Sequence, residues 1–241
     1  MATNFEIRTP VGNQSVFPLE PIEYDSNGEI IYPEQRETDM GETLLNYALA
    51  SYIWNALTHF FNEREGVLVA ANMNLYYEEG NPYKWFAPDV LVALGVRNHN
   101  QKVYKLWQEL IFPQVIFEIA SDRTYKHDWH GEKFRFYEQL GAEEYYLLDA
   151  ERLYLPSPLM AFRRQNGRLA QVEIEKDRIY SPHLGLEIVQ TEQSFRFFNQ
   201  ANQKFLRTLE EAERANAEIE RQAQAEIERL KAEIEELKAR S

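Results

Sequence analysis

Within GETLLNYALASYIWNALTHFFNE, apolar residues fall at Leu45, Ala48, Ile53, Leu57 and Phe60, roughly a helical period, which predicts an amphipathic helix. Three apolar runs then follow, GVLVAANMNLYYEE, KWFAPDVLVALGV and QVIFEIAS, each reading as a strand. HGEKFRFYEQL returns to the helical spacing and stops at Gly141, the residue type a helix C-cap prefers. AEEYYLLDA reads as a fourth, fully apolar strand. Beyond it, LMAFRRQNGRLAQVEIEKDRIYSPHLGLEIVQ alternates as a β-meander with QNGR as a hairpin turn. The order α-β-β-β-α-β with β additions predicts an α/β chain of the α+β type, a mixed sheet with helices packed on it.

The ends differ from this middle. Residues 1–40 are extended and punctuated by prolines, with DSNGE as an internal turn, and predict an arm wrapped on a domain of residues 41–198. Residues 199–241 predict a long C-terminal helix in which AEIE recurs at 217, 225 and 232. A heptad frame starting from Leu206 ends with Ile227, Leu230, Ile234 and Leu237 at a and d, the pairing that favours two parallel strands. Earlier layers are polar, so a solvated single helix stands beside the homodimer or partner-helix reading.

Composition narrows the class. No apolar run approaches the length of a membrane span, and MATNFEIRTPVGNQ has no basic start or apolar segment of a secretory signal. The absence of cysteine removes thiolate metal sites and suits a reducing, cytoplasmic location. A net charge of −13 weighs against a polyanionic partner. A local basic groove or a bound divalent cation can still override that summed field at short range.

The chemistry centres on FEIASDRTYKHDWHGEKF. Strand alternation puts Val115, Phe117 and Ile119 on one face, with Ile116, Glu118 and Ala120 on the other. A carboxylate pointing from such a strand must be paired, protonated or bound to a metal. Asp89, behind Pro88 at the head of the preceding strand, can meet Glu118 if the two strands are neighbours. Two hard carboxylates without cysteine or clustered histidine suit Mg2+ or Mn2+. Lys133 shares a helical stripe with Phe136, Tyr137 and Leu140, which turns it toward the sheet, with Glu118 or Asp128 as its anion. The same three residues could equally form a buried ion-pair network without chemistry.

The ordered set APDV, VIFEIAS and GEKFRFYEQLGAEEYYLLD resembles the Uma-type putative restriction endonuclease family, within the PD-(D/E)xK nuclease superfamily, over roughly residues 40–190. The resemblance implies a restriction-endonuclease-like fold and a metal-dependent endonuclease acting on DNA. Asp89 and Glu118 would then hold Mg2+, or Mn2+, together with the Ile119 carbonyl. The chain departs from the superfamily at Ala120, where the lysine should stand. In the Uma-type branch the lysine is displaced to the following helix, where Lys133 matches it and would orient the attacking water. The family also suggests an acid on the first helix, here Glu42.

Other residues read more plainly. Ser121 caps a loop or donates to phosphate, and HDWH carries two histidines, His127 and His130, in a polar loop where surface roles outnumber ligation. Lys126 and Arg123 lie in that same loop, while Lys102, Lys105, Arg163 and Arg164 are candidate phosphate contacts or ordinary solvated charges. The competing classes are a catalytically silent nuclease-fold scaffold that works through its C-terminal helix, and a hydrolase of another phosphoester.

Overall fold

A computed structural model describes residues 22–32, 43–96 and 101–240. In chain order the elements are α1 (Leu44–Phe60), β1 (Val67–Ala71), β2 (Leu75–Tyr76), β3 (Trp85–Phe86), β4 (Val90–Leu94), β5 (Tyr104–Lys105) and α2 (Leu106–Glu109). There follow β6 (Val115–Ile119), α3 (Tyr125–Trp129), α4 (Glu132–Leu140), β7 (Glu144–Leu148), β8 (Leu159–Gln165) and β9 (Arg168–Val172). The chain closes with β10 (Arg178–Ser181), β11 (Leu186–Gln190), β12 (Phe195–Asn199), β13 (Lys204–Phe205) and α5 (Leu209–Ala239).

The main sheet has the order β1-β4-β6-β7-β8-β9 and is antiparallel except for β6 beside β7. That one parallel pair follows from α4, which crosses over between the two strands and lets the second run in the same direction. Taken through α1, β1, β4, β6, α4 and β7, the observed order is the expected α-β-β-β-α-β in a mixed α/β fold.

Each face of the sheet carries its own core. On one side Ile53 and Leu57 of α1 pack with Val90, Phe117, Tyr146 and, from a second sheet of order β10-β11-β12-β13, Ile188 and Phe197. On the other, Tyr137 and Leu140 of α4 pack with Leu91, Ile116, Tyr145 and Leu147. Phe117 and Ile116 therefore part to opposite sides as strand alternation requires, and Glu118 falls on the α4 side. All five residues of β6 are buried, so anything polar there must be met by protein.

Two of the expected strands break. GVLVAANMNLYYEE divides at Asn72, whose φ of 49° leaves the extended region and whose N–H reaches Pro88 O at 3.2 Å and Asp89 O at 3.1 Å. KWFAPDVLVALGV divides across Ala87–Asp89, because Pro88 has no N–H for the ladder. The severed pieces β2 and β3 join β5 in a separate small sheet. An apolar run cannot show such a break, since both halves remain hydrophobic.

The turns are as the residue types demand. Gly141 caps α4 at φ 108°, and Asn166 and Gly167, at φ 51° and 80°, form the tight β8–β9 turn. Within DSNGE, Asp25 Oδ1 accepts from the N–H groups of Asn27 and Glu29 at 2.8 and 2.9 Å. The rest of the expected arm, and Glu42, lie outside the described residues. Residue 199, expected to begin the tail, is paired with Lys204 in the β12–β13 hairpin. Leu206, the first position of the heptad frame, precedes α5 and bonds through its N–H to Phe197 O at 2.8 Å, so it stands outside the helix. No described helix is long and apolar enough to cross a membrane.

Candidate active site

Register brings the acids together. Val90 of β4 faces Phe117 of β6, so one step outward sets Asp89 opposite Glu118, and opposed residues share a face. Asp89 is held there, since its Oδ2 accepts from the Ile119 N–H at 2.5 Å. Proline explains the position: with no ladder bond at residue 88, the chain enters β4 late and the Asp89 side chain takes up a donor of the neighbouring strand. The next strand contact, Ala120 N–H to Leu148 O at 2.8 Å, completes the end of β6.

Lys133 reaches this point from α4. Its Nζ lies 2.8 Å from Glu118 Oε2 and 3.5 Å from Asp128 Oδ1. The Tyr137 hydroxyl, one turn further along the same helical face, donates to Glu118 Oε1. Both oxygens of Glu118 are thus engaged, at a residue only 1% exposed. The stripe expected from the sequence holds, and it brings Lys133 to the carboxylate that the strand pattern singled out.

Asp128 is the residue that sequence reasoning undervalued. The sequence offers it only as an alternative anion for Lys133, in a loop or first turn, but Tyr125–Trp129 is helical and Asp128 is 1% exposed. Neither of its carboxylate oxygens has a hydrogen-bond partner among the described residues. Its main chain is anchored by the Tyr145 hydroxyl, which donates to Asp128 O at 2.8 Å. Gly131 allows α3 and α4 to lie this close, because a Cβ there would overlap the His127 Cα and stand 2.7 Å from Lys126 O. Five residues are too short for a periodic signal; an acid between two aromatic residues was the only clue.

A second residue missed is Asn46, on the first turn of α1. Its Nδ2 donates to Ala120 O at 3.2 Å, and its buried Oδ1 has no hydrogen-bond partner among the described residues. By contrast Glu144, the other deeply buried acid of this sheet, is fully served at the opposite end of the β6–β7 pair. It accepts from the Tyr146 hydroxyl at 2.6 Å, the His183 N–H at 2.9 Å and the Ser181 hydroxyl. Among the described residues, the Glu118 end is where Asp128 and Asn46 keep buried oxygens without a hydrogen bond.

Electrostatics follow from one ammonium facing three carboxylates. Burial pushes the Glu118 carboxyl well above the usual range; Lys133 opposes that, while Asp89 and Asp128 add to it. Desolvation by itself would favour a neutral Lys133, but Glu118, Asp128 and Asp89 together hold its pKa above the ordinary lysine value. Burial likewise raises Tyr137, so its hydroxyl stays a donor.

The buried oxygens of Asp128 and Asn46 beside Glu118 are hard donors of the kind a divalent cation takes. Among the described residues no three His, Asp or Glu side chains are gathered into a set that could hold a metal ion. Mg2+ does not require one, since it is commonly held by one or two carboxylates with water and substrate phosphate filling its octahedron.

The remaining candidates have other work. Ser121 Oγ is 2.9 Å from Thr124 Oγ1 and accepts from the Thr124 N–H at 3.3 Å, the capping role. His127 and His130 are exposed, and the His130 ring lies 4.2 Å from that of Trp129. Lys126 lies over Tyr125 and Lys105 over Tyr32. Arg163 donates to Tyr180 O, and Arg164 to the carbonyls of Ala142, Glu138 and Gly167. An open cleft lined by Glu173, Glu175, Arg178 and Glu187 belongs to the second sheet and shares no residue with these acids.

Comparison with known proteins agrees in kind. A family model described as Uma2, a putative restriction endonuclease, matches residues 17–193. No curated protein matches the chain. Among solved structures, a putative nuclease belonging to the DUF820 family from Anabaena variabilis is similar at 15% identity and a TM-score of 0.42, covering 66% of this chain and 80% of that one.

Proposed function

Since the chain belongs to the Uma2 putative restriction endonuclease family, we propose that it is a nuclease of the divalent-metal-dependent kind, an endonuclease hydrolysing phosphodiester bonds of DNA. The observation that supports this reading is the meeting of Asp89, Glu118 and Lys133 at one end of β6. Asp89 and Glu118, with the Ile119 carbonyl, would hold Mg2+ or Mn2+. Glu42, next in sequence to the Thr43 that caps α1, is a further candidate donor. A bound ion would supply an acidified water and stabilise the charge that develops on a phosphate oxygen.

The residues themselves divide the work. Asp89 is fixed to the β6 main chain, so its second oxygen is aimed without a search through rotamers. Lys133 remains an ammonium because of its three acidic neighbours, which makes it a donor and not a general base. It can orient a water or grip a phosphate oxygen. Tyr137 and Asp128 flank it and limit its swing. Positive charge delivered locally would also ease the approach of a polyanion to a chain of net charge −13.

The test is plasmid cleavage with Mg2+ and Mn2+. Asp89→Ala, Glu118→Gln and Lys133→Ala should each reduce cutting by about 100-fold or more, the scale of a lost charge-stabilising group. Metal-dependent cutting that survives Asp89→Ala and Lys133→Ala would sink the assignment. A second reading is a catalytically silent scaffold of the same fold, favoured by the engagement of both Glu118 oxygens within the protein. Calorimetric titration with Mg2+ separates the two: heat in the wild type that Glu118→Gln removes supports the enzyme, and no heat supports the scaffold.

A further inference from the structure

The last helix leaves most of its length outside the folded domain. Its start is tied down, with Arg196 pairing to Glu211 at 2.7 Å and the Glu211 N–H donating to Thr208 Oγ1 at 3.2 Å. Beyond Ala215 every residue whose side chain is described is exposed. That stretch runs for about 36 Å at 1.5 Å per residue. Ion pairs along it, such as Glu218 with Arg221 at 2.7 Å and Glu228 with Lys231 at 3.0 Å, explain how the helix persists in water. They do not explain its apolar residues.

Ile219, Ile227, Leu230 and Ile234 are 61%, 46%, 46% and 50% exposed. Together with Ala223 they recur every three or four residues and so form one stripe along a single face. A β-branched residue at a with leucine at d is the arrangement of a two-stranded parallel coil, and Ile227, Leu230 and Ile234 supply it. The flanking charges then choose the occupant. In this register Glu226 and Glu233 stand at g, and Lys231 and Lys238 at e.

In a parallel pair, g of one helix meets e of the next heptad on the other. Glu226 would face Lys231 of the second copy, and Glu233 would face Lys238 of the second copy, all of opposite sign. An antiparallel pair would set glutamate against glutamate and lysine against lysine, which repels. These side chains now bond within their own helix, Lys238 with Glu235 at 2.9 Å and Arg229 with Glu226 at 3.4 Å. Exposed pairs of this kind contribute little, so exchanging them for pairs across an interface meets small resistance.

From the stripe and its flanking charges we infer that α5 is a self-association surface, occupied by the α5 of a second copy in a parallel, in-register two-stranded coil. Both folded domains then sit at the same end of the coil, because each domain precedes its α5. The inference does not depend on the nuclease reading.

Sedimentation equilibrium of the full chain at micromolar concentration should give twice the chain mass of 28.5 kDa. Ile227→Glu with Ile234→Glu should return the single-chain mass while the melting of the domain is unchanged. Lys231→Glu with Lys238→Glu should also be monomeric, and mixing it with Glu226→Lys plus Glu233→Lys should restore a mixed dimer. The native chain has no cysteine, so Leu230→Cys and, separately, Ala223→Cys, both at d, report direction, each cross-linking the copies under oxidation. A monomeric wild type would leave some other protein's helix as the occupant and overturn the inference. So would a dimer that survives both glutamate substitutions, or cross-linking at only one of the two positions.

Discussion

Replacing Lys133 by methionine removes one charge and keeps most of the side chain's reach. Glu118 and Asp128, each 1% exposed, then lose the ammonium that faces them and cannot recover their hydration. Deleting one partner of a buried ion pair costs about 3–5 kcal/mol. The Lys133 side chain is itself 25% exposed, which points to the lower end, about 3 kcal/mol at neutral pH. Relief comes from protonation, because burial has already pushed the Glu118 carboxyl well above the usual range. A carboxyl whose folded pKa exceeds its unfolded value binds a proton on folding. Its contribution is therefore present below the ordinary carboxylate range and fades as pH climbs toward the folded value. Loss of Lys133 raises Glu118 further, so the deficit of Lys133→Met should be small near pH 5 and grow toward pH 8, with a slope of at most about 1.4 kcal/mol per pH unit. Urea unfolding in EDTA, followed by tryptophan fluorescence, measures it. Adding Glu118→Gln to Lys133→Met should recover much of the loss. A Lys133→Met chain as stable as the wild type near pH 8, or a deficit that widens on acidification, would refute the reasoning.

The same cluster predicts a metal effect without any appeal to turnover. Mg2+ at about 100 times its dissociation constant should stabilise the wild type by about 2.7 kcal/mol and leave Glu118→Gln unmoved; equal thermal shifts in both would count against the site. Gly131→Ala puts a Cβ between α3 and α4, 2.7 Å from Lys126 O and 2.8 Å from His127 O. Overpacking against main chain should cost about 1–3 kcal/mol, and an unchanged melting temperature would show that the two helices are not in close contact.

How far the candidate site could be read in advance depended on the kind of signal. Glu118 was visible because a charged residue interrupts an apolar run, and Lys133 because it sits at a core position of a helical stripe. Asp89 was visible only conditionally, since its value rested on two strands being neighbours. Asp128 and Asn46 were hidden for a different reason. Both lie where local sequence looks ordinary, one in a five-residue helix and one in the Leu-Leu-Asn-Tyr first turn of α1, and only burial makes them unusual. The fold divides in the same way. The breaks at Asn72 and Pro88 leave no mark in the apolar pattern, because hydrophobicity does not record which sheet a residue enters.

What this sequence determined by itself was the local periodicity of its longer segments: the helical spacing of α1 and α4, which side of β6 Glu118 occupies, and which face of α4 carries Lys133. Those follow from the fixed pitch of helix and strand, so they need no partner to be defined. Tertiary structure alone decided the β4–β6 register that sets Asp89 opposite Glu118, the burial that leaves one ammonium among three carboxylates, and the α3–α4 approach that brings in Asp128. Register, burial and approach depend on residues far apart in the chain, and charge in a buried place depends on all of its neighbours at once. A linear pattern cannot carry that information.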